Sequence, residues 1–339
     1  MQDYATIYEQ LTKGPLLESM PREAVVLTAL AIRALERLAD HAVNVSRRIS
    51  HGVAGGIDRG RSPARRKLCR INSPADVSTP VELVVLPDMV LQGAWQMTLD
   101  HWLLKAVDAG ALGPVLRFYH WPWPCLSLGR HQRSYPAPWD ALARQGHLEL
   151  VRRPSGGSAV LHGSGLTYAL VLPITMVSGR TGVERYRFCC RWLQQVFAQL
   201  GHPLVFGQDP ARLAGSHCFD RATAADLVGV KDGNKRIGSA QRRSRHALLQ
   251  HGELVLRSIP PVLWRQVFGP AAVPAALPLH PSKLPSLQHL LRQALMEQLG
   301  LRHWRRWQPS PQTWTAMGRL PMEHDPVVPQ EEAAMAASG

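Results

Sequence analysis

Residues 225–243 read ADLVGVKDGNKRIGSAQRR, two apolar-leaning runs on either side of an Asp232-Gly233 turn. Asp-Gly between such runs is a hairpin signal, because the tight turn needs positive φ. A hairpin makes neighbouring strands antiparallel, and the surrounding chain supplies more of them. VLRFYHW (115–121), PCLSLGRHQ (124–132) and ALLQHGELVLRS (247–258) read as strands, and 147–173 reads as strand, Gly-rich loop and strand. QMTLDHWLLKAVD (96–108), GVERYRFCCRWLQQVFAQLG (182–201) and SLQHLLRQALMEQLG (286–300) read as helices, and Gly201 ends the second. Helices and strands mix without regular βαβ alternation. The expected class is α+β, a mixed, largely antiparallel sheet flanked by helices, rather than a doubly wound sheet.

Outward from this block the character changes. Over residues 22–51, Leu27, Leu30, Ala34, Leu38, Ala42, Val45 and Ile49 recur at helical spacing. HGVAGG stops that helix, and a basic stretch rich in Pro and Ser follows. The expected organisation is a helical appendage at 1–55, a linker at 56–82, a catalytic domain at 83–305 and a partly disordered tail at 306–339. Met89 offers an alternative start.

The chain has 339 residues, room for one large domain with an appendage or for two domains. No apolar run approaches a membrane span, and the polar, acidic start MQDYATIYEQ is not a secretory signal, so the expected compartment is the cytoplasm. Five cysteines, an odd number in a large chain, argue against a disulfide framework, and the absence of C-x-x-C argues against zinc. Lys plus Arg is 39 and Asp plus Glu is 25, a net charge of +14. Such a field attracts an acidic partner, either nucleic acid or an acidic carrier protein.

Three stretches carry candidate chemistry. In RRPSGGSAVLHG (152–163) two glycines let backbone approach a ligand, and backbone N–H groups there can hold an anion or a carbonyl oxygen. It matches neither phosphate-loop nor dinucleotide patterns, and as a bare pattern it equally describes a plain turn. On the hairpin, Lys235 follows the turn and Gly238-Ser239 interrupts the return strand. A lysine there could steady an oxyanion or relay a proton, or simply be solvated. In GSHCFDRAT (215–223), Cys218 sits in a polar loop where a structural thiol is out of place. It would act as thiolate, which nearby cations (His217, Arg221, Lys235) could favour, or it could be inert. Cys125 and at least one of Cys189 and Cys190 read as core. His162 and His251, each before a glycine, could line a site or satisfy a hydrogen bond.

In the order QMTLD, PCLSLGRHQ, RRPSGGSAVLHGSGLTYALVLP, CFD, DLVGVKDGNKRIGSAQRRSRHALLQHGELVL, residues 86–302 resemble the biotin/lipoate protein ligase superfamily, and within it the LipM-type octanoyltransferases and their lipoate ligase relatives. The resemblance implies a mixed sheet flanked by helices. It implies that Cys218 takes the acyl group and that Lys235 contacts the acyl carbonyl or adenylate. It further implies that Arg153, Gly156, Gly157 and His162 line the acyl pocket, that Gly238, Ser239 and Gln241 continue the lysine motif, and that His251 and Gly252 match a His-Gly pair. Departures are Asp100-His101 for the usual Asp-Glu, Gly-Gly-Ser for three glycines, and Phe-Asp-Arg-Ala-Thr for Phe-Asp-Ala-Pro-Ser. A second resemblance joins ALERLADHAVNVSRRI to the last helix of PhoU, with Glu36 and Asp40 on its metal motif. About fifty residues are too few for PhoU's bundles, so it reads as a remnant or a start-site error, and no metal site is expected.

The implied activity is octanoyl transfer from acyl carrier protein to a lysine of a 2-oxoacid dehydrogenase lipoyl domain or glycine-cleavage H protein, with no cofactor. The rivals are ATP-dependent lipoate ligation, which would use ATP and Mg, and a non-catalytic binding or regulatory protein. No nucleic-acid motif and no membrane segment is present.

Overall fold

The structure, a computed structural model, describes residues 81–163, 165–208, 222–277, 279 and 283–318. All of these belong to the unit Ile71–Gly339. The helix expected over 22–51, the PhoU-like stretch and most of the linker lie outside the described residues.

In chain order the described elements are β1 (Leu83–Val85), β2 (Met89–Val90), α1 (Gly93–Asp108), β3 (Val115–His120), β4 (Cys125–Leu128), α2 (Pro138–Arg144) and β5 (Glu149–Arg152). Next come β6 (Val160–His162), β7 (Leu166–Pro173), a 3-10 turn (Ile174–Val177), α3 (Gly182–Gln199), β8 (Leu204–Phe206) and β9 (Leu227–Gly229). The last are β10 (Lys235–Arg243), β11 (Ala247–Leu254), α4 (Pro261–Phe268), α5 (Leu284–Leu299), β12 (Trp304–Arg306) and α6 (Pro311–Gly318).

The large sheet runs β12-β1-β3-β7-β11-β10-β9-β8, with β2 added on β3. Pairing is parallel among β12, β1, β3 and β2, and antiparallel from β3 through to β8. The mixed, largely antiparallel sheet is therefore present, and the Asp232-Gly233 hairpin joins β9 to β10 as its sequence predicts. A second sheet, β5-β4-β6, was not foreseen.

Strand β7 sits mid-sheet and is apolar along its length because both faces are covered. Tyr168, Leu170 and Leu172 pack with Trp192 and Phe197 of α3 and Leu291 of α5. Ala169 and Val171 pack with Leu99 and Leu103 of α1 on the other face. Burying each such large side chain contributes about 1.5–3 kcal/mol. The small sheet buries Leu126, Leu150 and Leu161 against Trp139 of α2 and Trp264 of α4.

Local signals set the helix ends. Thr181 and Glu184 form a capping box that starts α3, with Thr181 N–H donating to Glu184 Oε2 at 2.7 Å. The first amide of α1 donates to Glu149 Oε2 at 2.6 Å, so a carboxylate from the small sheet caps a helix of the large one. Cys125, Cys189 and Cys190 are buried, as expected of core thiols. Within the expected tail, α6 buries Met317, and Trp307 stacks on Trp102 of α1 at 5.5 Å.

Candidate active site

Both sheets contribute to one cleft with about 430 Å³ of empty space. Ser127 and His162 reach it from the small sheet; Thr167, His251 and Glu253 reach it from the large one. The bare Gly252 lets the strands close here, since a Cβ would lie 2.5 Å from Gly238 O and 2.8 Å from Tyr168 Cε1.

The glycine loop after β5 is pinned from within. Arg153 is buried and sends Nη2 to the carbonyls of Gly156 and Ser158, both at 2.7 Å, and Nη1 to Ser127 O at 2.8 Å. Gly157 holds φ +94°, a region that L side chains rarely enter. Arg153 thus lines the cleft while its guanidinium shapes the loop. Among the described residues the amides of Gly156 and Gly157 donate to no acceptor.

Two serine–histidine–acid chains flank the cleft. In the first, Ser155 Oγ meets His251 Nε2, and His251 Nδ1 lies 2.8 Å from Asp100 Oδ2. Asp100 is fully buried and also accepts from Arg117 Nη1 at 2.9 Å and Tyr119 OH at 3.0 Å. Burial and the neighbouring Asp100 charge push the Tyr119 phenol well above its ordinary value, so it stays a donor. In the second chain, Ser127 Oγ lies 2.8 Å from His162 Nε2, and His162 Nδ1 lies 3.0 Å from Glu253 Oε2. Thr167 Oγ1 donates to the same Oε2. Burial lowers the His162 pKa from its ordinary 6.5, which leaves a neutral ring that donates from Nδ1 and accepts at Nε2.

Lys235 opens β10 and is buried, with Nζ 2.9 Å from Asp226 Oδ1. Plain alternation would put it on the same face as Ile237. A register shift between them breaks that alternation: Lys235 pairs with Val228 and Ile237 with Leu227. Leu227 and Ile237 share the core beneath α3, so Lys235 lies on the opposite face, with Gly238 and its strand partner Glu253. Asp226 Oδ2 also accepts from Thr223 N at 2.8 Å and Thr223 Oγ1 at 3.0 Å.

Of the residues expected in the site, Arg153, His162, Gly238, Ser239, His251 and Gly252 line the cleft. Gln241 does not. It faces α3, where its amide donates to Tyr186 OH and its side chain to Gln250. Gly156, Gly157 and Lys235 stand near the cleft rather than in its wall. Cys218, with His217 and Arg221, lies outside the described residues. Ser127, Thr167, Asp226 and Glu253 carried no signal that set them apart from ordinary strand and loop positions, and Asp100 stood out only as part of a departure. Among the described residues no cluster of three or more His, Cys, Asp or Glu could hold a metal, and no helix is long and apolar enough to cross a membrane.

A family model described as the lipoyl protein ligase A/B catalytic domain matches residues 92–270. The chain belongs to this family. It is 36% identical over 191 residues to the octanoyltransferase LipM of Symbiobacterium thermophilum, covering 54% of this chain and 68% of that protein. It is 36% identical over 173 residues to the octanoyltransferase LipM of Exiguobacterium sp., covering 48% and 62%. The chain therefore spans about two thirds of the length of these curated relatives, which support octanoyl transfer, an acyltransferase reaction of lipoate biosynthesis. Among solved structures, a lipoate protein ligase from T. acidophilum with bound lipoic acid superposes with a TM-score of 0.57 at 15% identity, covering 70% of this chain and 94% of that one. Lipoate-protein ligase A bound with ATP gives 0.55 at 16% identity, covering 70% and 93%. At these identities the likeness is one of fold.

Proposed function

We propose that this chain moves an octanoyl group from a carrier-protein thioester to a lysine of a lipoyl domain or H protein, through a thioester on Cys218. One observation carries the reading. Asp226 ties Lys235 to Thr223, five residues after Cys218, so the buried cation sits at the foot of the segment that bears the thiol. A cation beside a thiol favours the thiolate. The described cysteines suit the role poorly: burial pushes the Cys190 thiol up to about 11 and also raises Cys125 and Cys189 above their ordinary value.

In the first step the Cys218 thiolate attacks the thioester carbonyl, a new C–S bond forms, and the carrier thiolate leaves and takes a proton from Lys235 or solvent. The amides of Gly156 and Gly157 are available to the oxyanion. In the second step the acceptor amine attacks the acyl-enzyme, the C–N bond forms, and Cys218 leaves as thiolate. A thioester is already activated, so no ATP is required. The net charge of +14 suits acidic carrier and acceptor proteins. We assign the reaction to the cytoplasm, which keeps thiols reduced.

Incubation with octanoyl carrier protein without ATP should add one octanoyl group by intact mass, and Cys218→Ser should abolish the addition. Full transfer by that variant refutes the mechanism. A strict ATP requirement, with free octanoate or lipoate as donor, would assign the chain to ligation instead.

A further inference from the structure

Glu253 is 3% exposed and lines the cleft. Its Oε2 takes two hydrogen bonds, from His162 and Thr167. Its Oε1 is buried beside Gly165 and has no hydrogen-bond partner among the described residues. A buried carboxylate oxygen left unpaired is strongly unfavourable in an apolar setting. Among the described residues no Lys or Arg forms an ion pair with it, and Lys235, on the same sheet face, is paired with Asp226. Burial keeps His162 neutral, Arg153 directs Nη1 and Nη2 at Ser127 and the loop carbonyls, and Arg117 is paired with Asp100.

The site therefore wants a cationic hydrogen-bond donor. Resting on the transfer reaction proposed above, three groups enter the cleft. The acyl chain has no donor, the carrier's thioester arm has neutral donors, and the acceptor lysine arrives as an ammonium. Only the ammonium supplies both the charge and the hydrogen. We infer that Glu253 Oε1 receives the acceptor lysine's ammonium and takes one of its protons before attack. The proton passes from Nζ to Oε1, and the free amine attacks the acyl-enzyme carbonyl. The second proton lost from nitrogen goes to the departing Cys218 thiolate, and Glu253 later releases its own to solvent. His162 is a positioning residue here, because its Nδ1–H fixes Oε2 and so sets which oxygen is left for the ammonium.

The test uses full-length protein charged with octanoyl carrier protein and chased with lipoyl domain, with the octanoyl-enzyme followed by intact mass. In Glu253→Gln the octanoyl-enzyme should accumulate during turnover, and its discharge by the lipoyl domain should slow about 100-fold. Hydroxylamine, uncharged at neutral pH and needing no base, should discharge variant and wild type alike. Equal discharge by the lipoyl domain overturns the inference, as does equal slowing with both nucleophiles. His162→Asn gives a second reading if Glu253→Gln does not fold. It should slow the lipoyl-domain chase and spare hydroxylamine, and the reverse overturns the role. Failure of the wild type to form any octanoyl-enzyme would instead bring down the underlying transfer reaction.

Discussion

The two serine–histidine–acid chains share a geometry and differ at the acid. Asp100 has a cation, a phenol and an imidazole on its two oxygens, and the Arg117 charge cancels its own. Glu253 has an imidazole and a hydroxyl on one oxygen and, among the described residues, nothing on the other. The first chain is closed and holds Ser155, and with it the glycine loop, in place. The second lacks a hydrogen bond at Oε1 among the described residues. Burial is nearly equal in the two, so burial does not separate scaffold from chemistry here; the state of the last hydrogen-bond site does.

The comparison breaks most visibly in stability. Asp100→Asn leaves Arg117 buried without a carboxylate and should lower unfolding free energy by about 3–5 kcal/mol in urea denaturation. Glu253→Gln strands no cation and should stay within ~1 kcal/mol of wild type. Similar losses in both would erase the distinction. Gly157→Ala tests the loop that the closed chain supports. With φ at +94° and Arg153 Nη2 only 2.8 Å from the new Cβ, a loss of about 1–2 kcal/mol is expected by the same denaturation. Ser155→Ala removes one buried hydrogen bond to His251, a loss of about 1 kcal/mol, and should raise KM for the thioester more than it lowers kcat if the loop positions substrate.

The smallest change is in pH dependence. The folded pKa of His162 lies below the ordinary 6.5, so the unfolded chain binds the proton more readily. Its contribution to stability is present above 6.5 and is lost as pH falls through the folded value. The melting temperature should drop on acidification below 6.5, and His162→Asn should flatten that slope.

The sequence disclosed the frame of the large sheet well, because period-2 and period-3.6 patterns there are long and the Asp232-Gly233 turn is specific. It did not disclose the small sheet. Leu126, Leu150 and Leu161 lie on strands of three or four residues, too short for a period to show, and their pairing is set by Trp139 and Trp264 far along the chain. Glu253 passed as one polar residue of an alternating strand, since no local pattern says that its face is covered. Gln241 was expected in the site from its motif, yet strand alternation turns it toward Tyr186. The histidines were visible as candidates. Their acids were not, because each histidine and its acid are joined across the fold rather than along the sequence.

The shift between Lys235 and Ile237 makes the relative lengths of β9 and β10 matter as much as their composition. Deleting Arg236 would keep Lys235 and restore an ordinary ladder. The lysine would keep its face, because neighbours one apart on a strand point to opposite sides, with Lys235 still opposite Val228 and Ile237 opposite Leu227. One extra residue on β9 between Leu227 and Val228 would instead absorb the shift, and it would turn the amine to the Ile237 side of the sheet, under α3.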